Sequence, residues 1–124
     1  VVCWMLTDPQ ASEPSNLRRG DPWLLVAHRP GQETRVISFE SGFPMDASKR
    51  PIASVGGKNF AMFSKGGETA WSHPEDDASM ITALKRGLSL TIESRSARGN
   101  DIRDQFSLRG FTKAYDKISQ ACNV

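Results

Sequence analysis

Two cysteines, Cys3 and Cys122, stand at the two ends of this 124-residue chain, one in the opening apolar run and one in the closing segment. A bridge between them would set the first and last elements side by side and would imply an oxidising compartment. The alternative is a pair of buried free thiols, as in a cytosolic protein. The chain opens without an initiator methionine, a basic n-region or an apolar h-region. Its start is therefore expected to follow removal of a signal peptide, or to be a cut in a longer chain.

Sixteen basic residues against fourteen acidic ones give a formal charge of +2, with both signs spread along the chain. That pattern fits a soluble surface and speaks against a nucleic-acid footprint. The longest apolar runs, Val1 to Leu6 and Trp23 to Ala27, fall well short of the ~20 residues that span a bilayer, so no transmembrane segment is expected. The length suits one domain over residues 1–124 with a single core.

Short β-rich runs separated by proline and glycine clusters predict an all-β sandwich or barrel. Strands are expected near Val1–Thr7, Trp23–His28, Arg35–Glu40, Ile52–Val55, Asn59–Ser64, Leu88–Arg95 and Ile102–Arg109, with a short edge strand near Thr69–Trp71. Asp8 to Asp21 holds two prolines and no apolar periodicity, and reads as a long loop. Gly56-Gly57 and Gly66-Gly67 suit hairpin turns.

Two segments read as helices. After Pro74, acids precede Met80, Ile81 and Leu84, and Lys85, Arg86 and Gly87 follow, which matches the helix dipole and a glycine stop. Phe111, Tyr115, Ile118 and Cys122 fall on one face of a C-terminal helix and point Cys122 at the core.

The clearest pairing is a hairpin in which Leu88, Leu90 and Ile92 meet Ile102, Phe106 and Leu108 on the buried face. Setting Leu88 opposite Leu108 and Leu90 opposite Phe106 also brings Glu93 to Arg103 and Arg95 to Asp101.

No constellation reads as catalytic or metal-binding, and no cofactor loop is present. His28 and His73 are the two histidines. Asp76 and Asp77 near His73 make a surface zinc site conceivable, but acids at a helix start have their own reason to be there. Gly57-Lys58 lacks the remainder of a phosphate loop. Trp4 and Trp23 are expected in the core, and Trp71, in a polar stretch, either packs over a sheet edge or is exposed for recognition. Arg95, Arg98, Arg103 and Arg109 could form a cationic stripe for acidic lipid or glycan, or simply a solvated face paired with Glu93, Asp101 and Asp104.

Phe106-Ser-Leu-Arg-Gly-Phe111, followed by Ala114, Tyr115 and Cys122, resembles the C-terminal signature of the bacterial invasion-associated locus B family. Cys3-Trp4, Arg19-Gly-Asp-Pro-Trp23 leading into Leu24–Ala27, Arg29-Pro-Gly31, Ser54-Val-Gly56 and Met80 to Gly87 follow in the family's order, so the resemblance covers nearly the whole chain. It implies an immunoglobulin-like β-sandwich exported by Gram-negative bacteria, mostly alphaproteobacteria, named for entry into host cells and without an attached enzymatic activity. Many members carry residues ahead of the Cys-Trp position and a further cysteine pair in the middle, which this sequence lacks.

The expectation is thus an all-β, immunoglobulin-like sandwich with a short helix after Pro74 and a C-terminal helix, bridged from Cys3 to Cys122. It would be periplasmic, outer-membrane associated or secreted, and non-enzymatic. It would recognise an envelope or host-surface protein in adhesion or invasion, with Trp71, Arg95, Arg98 and Arg103 as candidate surface residues. The competing expectation is a periplasmic ligand-binding or envelope-assembly module working through an exposed sheet edge or an apolar groove.

Overall fold

The computed structural model describes residues 1–124. Its strands are β1 (Cys3–Thr7), β2 (Ala11–Glu13), β3 (Trp23–Arg29), β4 (Glu33–Glu40), β5 (Ile52–Val55), β6 (Lys58–Ser64), β7 (Thr69–Ser72), β8 (Ser89–Arg95) and β9 (Asp101–Ser107). Helix α1 (Asp77–Arg86) follows a 3-10 turn at Pro74–Asp76, and α2 (Phe111–Ala121) closes the chain. All neighbouring strands pair antiparallel, in the order β1-β3-β4-β7-β6-β5-β8-β9-β2.

The all-β class and the two helices are as the sequence predicts. The immunoglobulin-like arrangement in two separate sheets is not seen, because one sheet runs unbroken and curls into a half-barrel. Strand β6 is the reason. Its first part, Lys58 to Ala61, pairs with β5, and its last part, Met62 to Ser64, pairs with β7, so hydrogen bonding passes from one half of the sheet to the other. The β5–β6 turn is Gly56-Gly57, both at positive φ, which suits a two-residue hairpin.

Alternation along each strand fixes what faces inward. Leu24 and Val26 of β3, Ile37 and Phe39 of β4, Ala53 and Val55 of β5, and Leu90, Ile92 and Phe106 of the last hairpin are all buried. Phe39 and Phe106 meet edge to face with centroids 6.2 Å apart, joining the two halves across the concave side. The open side is plugged by the helices, with α2 on β1 and β3 and α1 on β4. Helix α2 turns Phe111, Tyr115 and Cys122 inward, as its periodicity predicts. Cys3 and Cys122 form a disulfide across 119 residues with Cα atoms 6.0 Å apart. A loop of that length implies about 4.7 kcal/mol or slightly more in the chain-entropy account.

The last hairpin has the expected register: Leu90 faces Phe106, Glu93 faces Arg103 and Arg95 faces Asp101. Four expectations need correction. Leu88 is 91% exposed, because it lies before β8 begins and only its carbonyl is held, by the Leu108 N–H. The strand at Thr69–Ser72 is interior, paired on both sides by β4 and β6. The loop from Asp8 to Asp21 contains β2, which pairs with β9. Asp104 is fully buried on the concave face opposite Ile92, and is no partner for surface arginines.

What satisfies Asp104 is Arg19, from the loop between β2 and β3. The Arg19 Nη1 and Nη2 groups donate to the two Asp104 oxygens at 2.8 and 2.9 Å, and Nε donates to the Ser41 carbonyl at 3.0 Å. Ser12 of β2 donates its hydroxyl to Asp104 at 2.7 Å, and the guanidinium lies 4.9 Å from the Phe43 ring centroid. The adjoining glycines allow this closure. Gly20 donates to the Gly42 carbonyl at 2.8 Å, and a Cβ on Gly42, which has φ +79, would fall 2.2 Å from the Gly20 oxygen.

Breaking a buried pair by removing one partner leaves the other charge uncompensated and costs about 3–5 kcal/mol. Asp104→Ala should therefore lower stability by that order, measured by urea unfolding with the disulfide intact. Asp101→Ala, at an exposed pair, should change it by less than about 1 kcal/mol.

Candidate functional site

Registered cross-strand neighbours share a face, so the pairing defines the convex surface row by row. One row runs Leu6, Leu25, Ser38, Trp71 and Phe63 across β1, β3, β4, β7 and β6. A second runs Trp4, Ala27 and Val36, and a third runs Trp23, Glu40 and Thr69. All three tryptophans thus stand on the convex side of one half of the sheet. The other half, over β5, β8, β9 and β2, presents Ser54, Thr91, Glu93, Arg95, Arg103, Gln105 and Glu13.

A solvent-facing sheet side is ordinarily polar, and contiguous apolar patches on it mark interaction sites. The apolar half has two zones. At the edge strand β1, Trp4 is 57% exposed and Leu6 44% exposed, while their neighbours Trp23 and Leu25 are half-buried. β1 carries no charged side chain and pairs only with β3, so no strand pairs with its other side. Trp4 and Trp23, expected in the core, are therefore surface residues. Their position follows from Cys3 and Leu24, which take the inward places.

The second zone is a groove of about 590 Å³ between the β3–β4 turn, the convex aromatics and the start of α1. Trp71 and Phe63 lie 5.5 Å apart, tilted by 33°, and the His73 ring lies 5.0 Å from Phe63, tilted by 41°. Glu33, Arg35, Lys65 and Asp77 surround the aromatics. Asp77 accepts the Ser72 hydroxyl at 2.6 Å, and burial raises its carboxyl above the usual aspartate range.

The remaining predicted residues lie elsewhere. Arg95 pairs with Asp101 at 2.8 Å and Arg103 with Glu93 at 3.0 Å on the polar half. Arg98 is exposed in the β8–β9 turn beside a smaller recess lined by Arg18, Phe43 and Pro44. The structure does not bring these arginines to Trp71. His73, Asp76 and Asp77 make no metal site, and no group of three His, Cys, Asp or Glu side chains gathers anywhere.

One Ser–His contact was not foreseen. His28 is fully buried in β3, where its Nδ1 accepts the Arg35 N–H at 3.0 Å and its Nε2 lies 3.0 Å from Ser119 Oγ. Since Nδ1 is an acceptor, the neutral ring carries its proton on Nε2 and donates it to Ser119. A ring so held does not withdraw the serine proton. Arg35 has φ +58 at the irregularity between β3 and β4, which is what aims its N–H at the ring.

These features define a disulfide-closed, all-β half-barrel whose concave side is filled and whose convex side carries an aromatic half. The chain belongs to the invasion-associated locus B family, whose pattern matches residues 1–119. No curated protein and no solved structure matches it. No helix is long and apolar enough to cross a membrane.

Burial lowers the His28 pKa, with the Arg35 charge adding to the effect. The unfolded chain then binds a proton that the folded one resists, so stability is full above the unfolded value near 6.5 and falls as pH drops through it towards the folded pKa. Urea midpoints should decline from pH 7.5 to pH 5, and His28→Gln should flatten that decline. A second comparison separates the tryptophans. Trp4→Ala should stay within about 0.5 kcal/mol of the parent, whereas Trp71→Ala, which strips packing from Phe63, should cost about 1–3 kcal/mol by the same unfolding measurement.

Proposed function

We propose that this protein is a non-enzymatic recognition factor of the bacterial envelope or cell exterior, meeting a protein partner by strand addition at β1. The observation that carries the reading is the uncharged edge strand with Trp4 and Leu6 exposed on its outer face. Edge strands are ordinarily blunted by charge, proline or a bulge, and this one is not. An added strand would gain main-chain hydrogen bonds from the edge and side-chain contact from the Trp4–Leu6 row.

Three further observations support it. Family membership favours an invasion-associated role. The disulfide fits an oxidising, exported location. In the His28–Ser119 pair the ring donates to the serine and so is no base for it, which favours binding over turnover.

The test is capture from envelope extracts and host-cell lysates in parallel, with the parent and with Leu6→Lys. Lysine on an edge strand opposes pairing while leaving an exposed position folded, so a partner held at β1 should be lost at least tenfold. A partner captured equally by both proteins would place recognition elsewhere. Substrate turnover that survives repurification would end the non-enzymatic reading.

A further inference from the structure

The groove at Trp71 lies about 14 Å from the β1 edge, three strand spacings across the sheet, and its chemistry differs from that of the edge. We propose that it is a second binding site, for a neutral hydroxyl-rich ring, that is, a sugar residue of an uncharged glycan.

The floor is aromatic and half-buried. Trp71 and Phe63 side by side form a shelf, flanked by Val36, against which the C–H face of a sugar ring can lie. A cation-binding cage would need rings closing around the ligand, and these two belong to adjacent strands of one sheet face. The volume of about 590 Å³ lies within the 300–1,000 Å³ range of small-molecule sites.

The rim decides the ligand's charge. Arg35 and Lys65 bring two positive charges, and Glu33 and Asp77 two negative ones, so the four cancel. A phosphate or sulfate would meet two carboxylates, and an ammonium would meet two cations. The side chains of Glu33, Arg35 and Lys65 make no hydrogen bond or ion pair within the protein, and all three are exposed. Asp77 is engaged through one oxygen only, by Ser72. The groove thus offers free donors and free acceptors around an apolar floor. Hydroxyls both donate and accept, so a neutral polyhydroxyl ring satisfies both sets without leaving a charge unmatched. A purely apolar ligand would leave the rim groups unpaired as it covered them.

The experiment screens the disulfide-intact protein on an array of neutral, sialylated and sulfated glycans, then titrates free neutral oligosaccharide hits by calorimetry at low and high salt. Neutral glycans should bind with little salt dependence. Trp71→Ala should weaken binding at least tenfold. Trp71→Phe should restore much of it, and the exposed changes Lys65→Ala and Glu33→Ala should each weaken it about threefold to tenfold. Those two report even if Trp71→Ala fails to fold. Leu6→Lys should bind as the parent does, which separates this site from strand addition at β1. The proposal is overturned if only sulfated or sialylated glycans bind, or if no neutral glycan binds the folded parent. Binding that ignores both Trp71 and the rim substitutions would overturn it equally.

Discussion

The Arg19–Asp104 pair is the contact on which the closed form of this sheet depends. It joins the loop before β3 to β9 through two hydrogen bonds, reaches the chain after β4 through the Ser41 carbonyl, and gathers Ser12 from β2. Those segments come from opposite ends of the strand order, so the curl cannot open without exposing or separating a fully buried carboxylate. Two charges out of water are costly even when well paired, so the pair is poor evidence for net stability. Its value here is geometric. A bidentate fork accepts one relative placement of the two halves, where Phe39 against Phe106 alone would tolerate sliding.

Closure of the concave side has a consequence for recognition. With α2 bridged to β1 by Cys3–Cys122 and the inner face filled by the core, partners can reach the convex face, the edges, the turns and the outer sides of the two helices, but not the concave side. The convex face is unequal. Its polar half holds exposed ion pairs that favour water, and its apolar half holds every tryptophan of the chain. The disulfide and the Trp4 edge are coupled as well: by fixing Cys3 inward, the bridge also fixes Trp4 and Leu6 outward, because strand alternation allows nothing else.

That coupling shows how much was legible in the sequence. Cys3 reads as core-facing from its partner Cys122, and alternation from Cys3 already places Trp4 on the surface, yet composition alone draws Trp4 inward. Period-2 order should outrank hydrophobicity wherever one residue's face is known. The β8–β9 register was legible because apolar and charged residues demanded the same pairing. The same alternation puts Asp104 on the inner face with Ile102 and Phe106. Its role stayed hidden because its partner Arg19 lies 85 residues away in a loop without periodicity. Short β2 was illegible for the related reason that three residues between prolines carry no pattern. The continuity of the sheet rests on β6 changing partners partway along, which no local signal announces.

The apolar half also raises the question of how such a face is borne on the outer side of a sheet. Trp23, Leu25, Phe63 and Trp71 are each only half-buried, and they shelter one another: Ala27, between Trp4 and Val36, is almost wholly covered. Cross-strand contact therefore removes part of the area from solvent before any partner arrives. What stays open is concentrated at two places, the β1 edge and the Trp71 shelf, and these differ in the feature that sets specificity. The edge has free backbone groups and no charge, which favours another strand. The shelf has a ring of balanced charge, and its Trp71 stands on β7, which is paired on both sides by β4 and β6. One convex face can thus serve two kinds of contact without their competing for the same atoms.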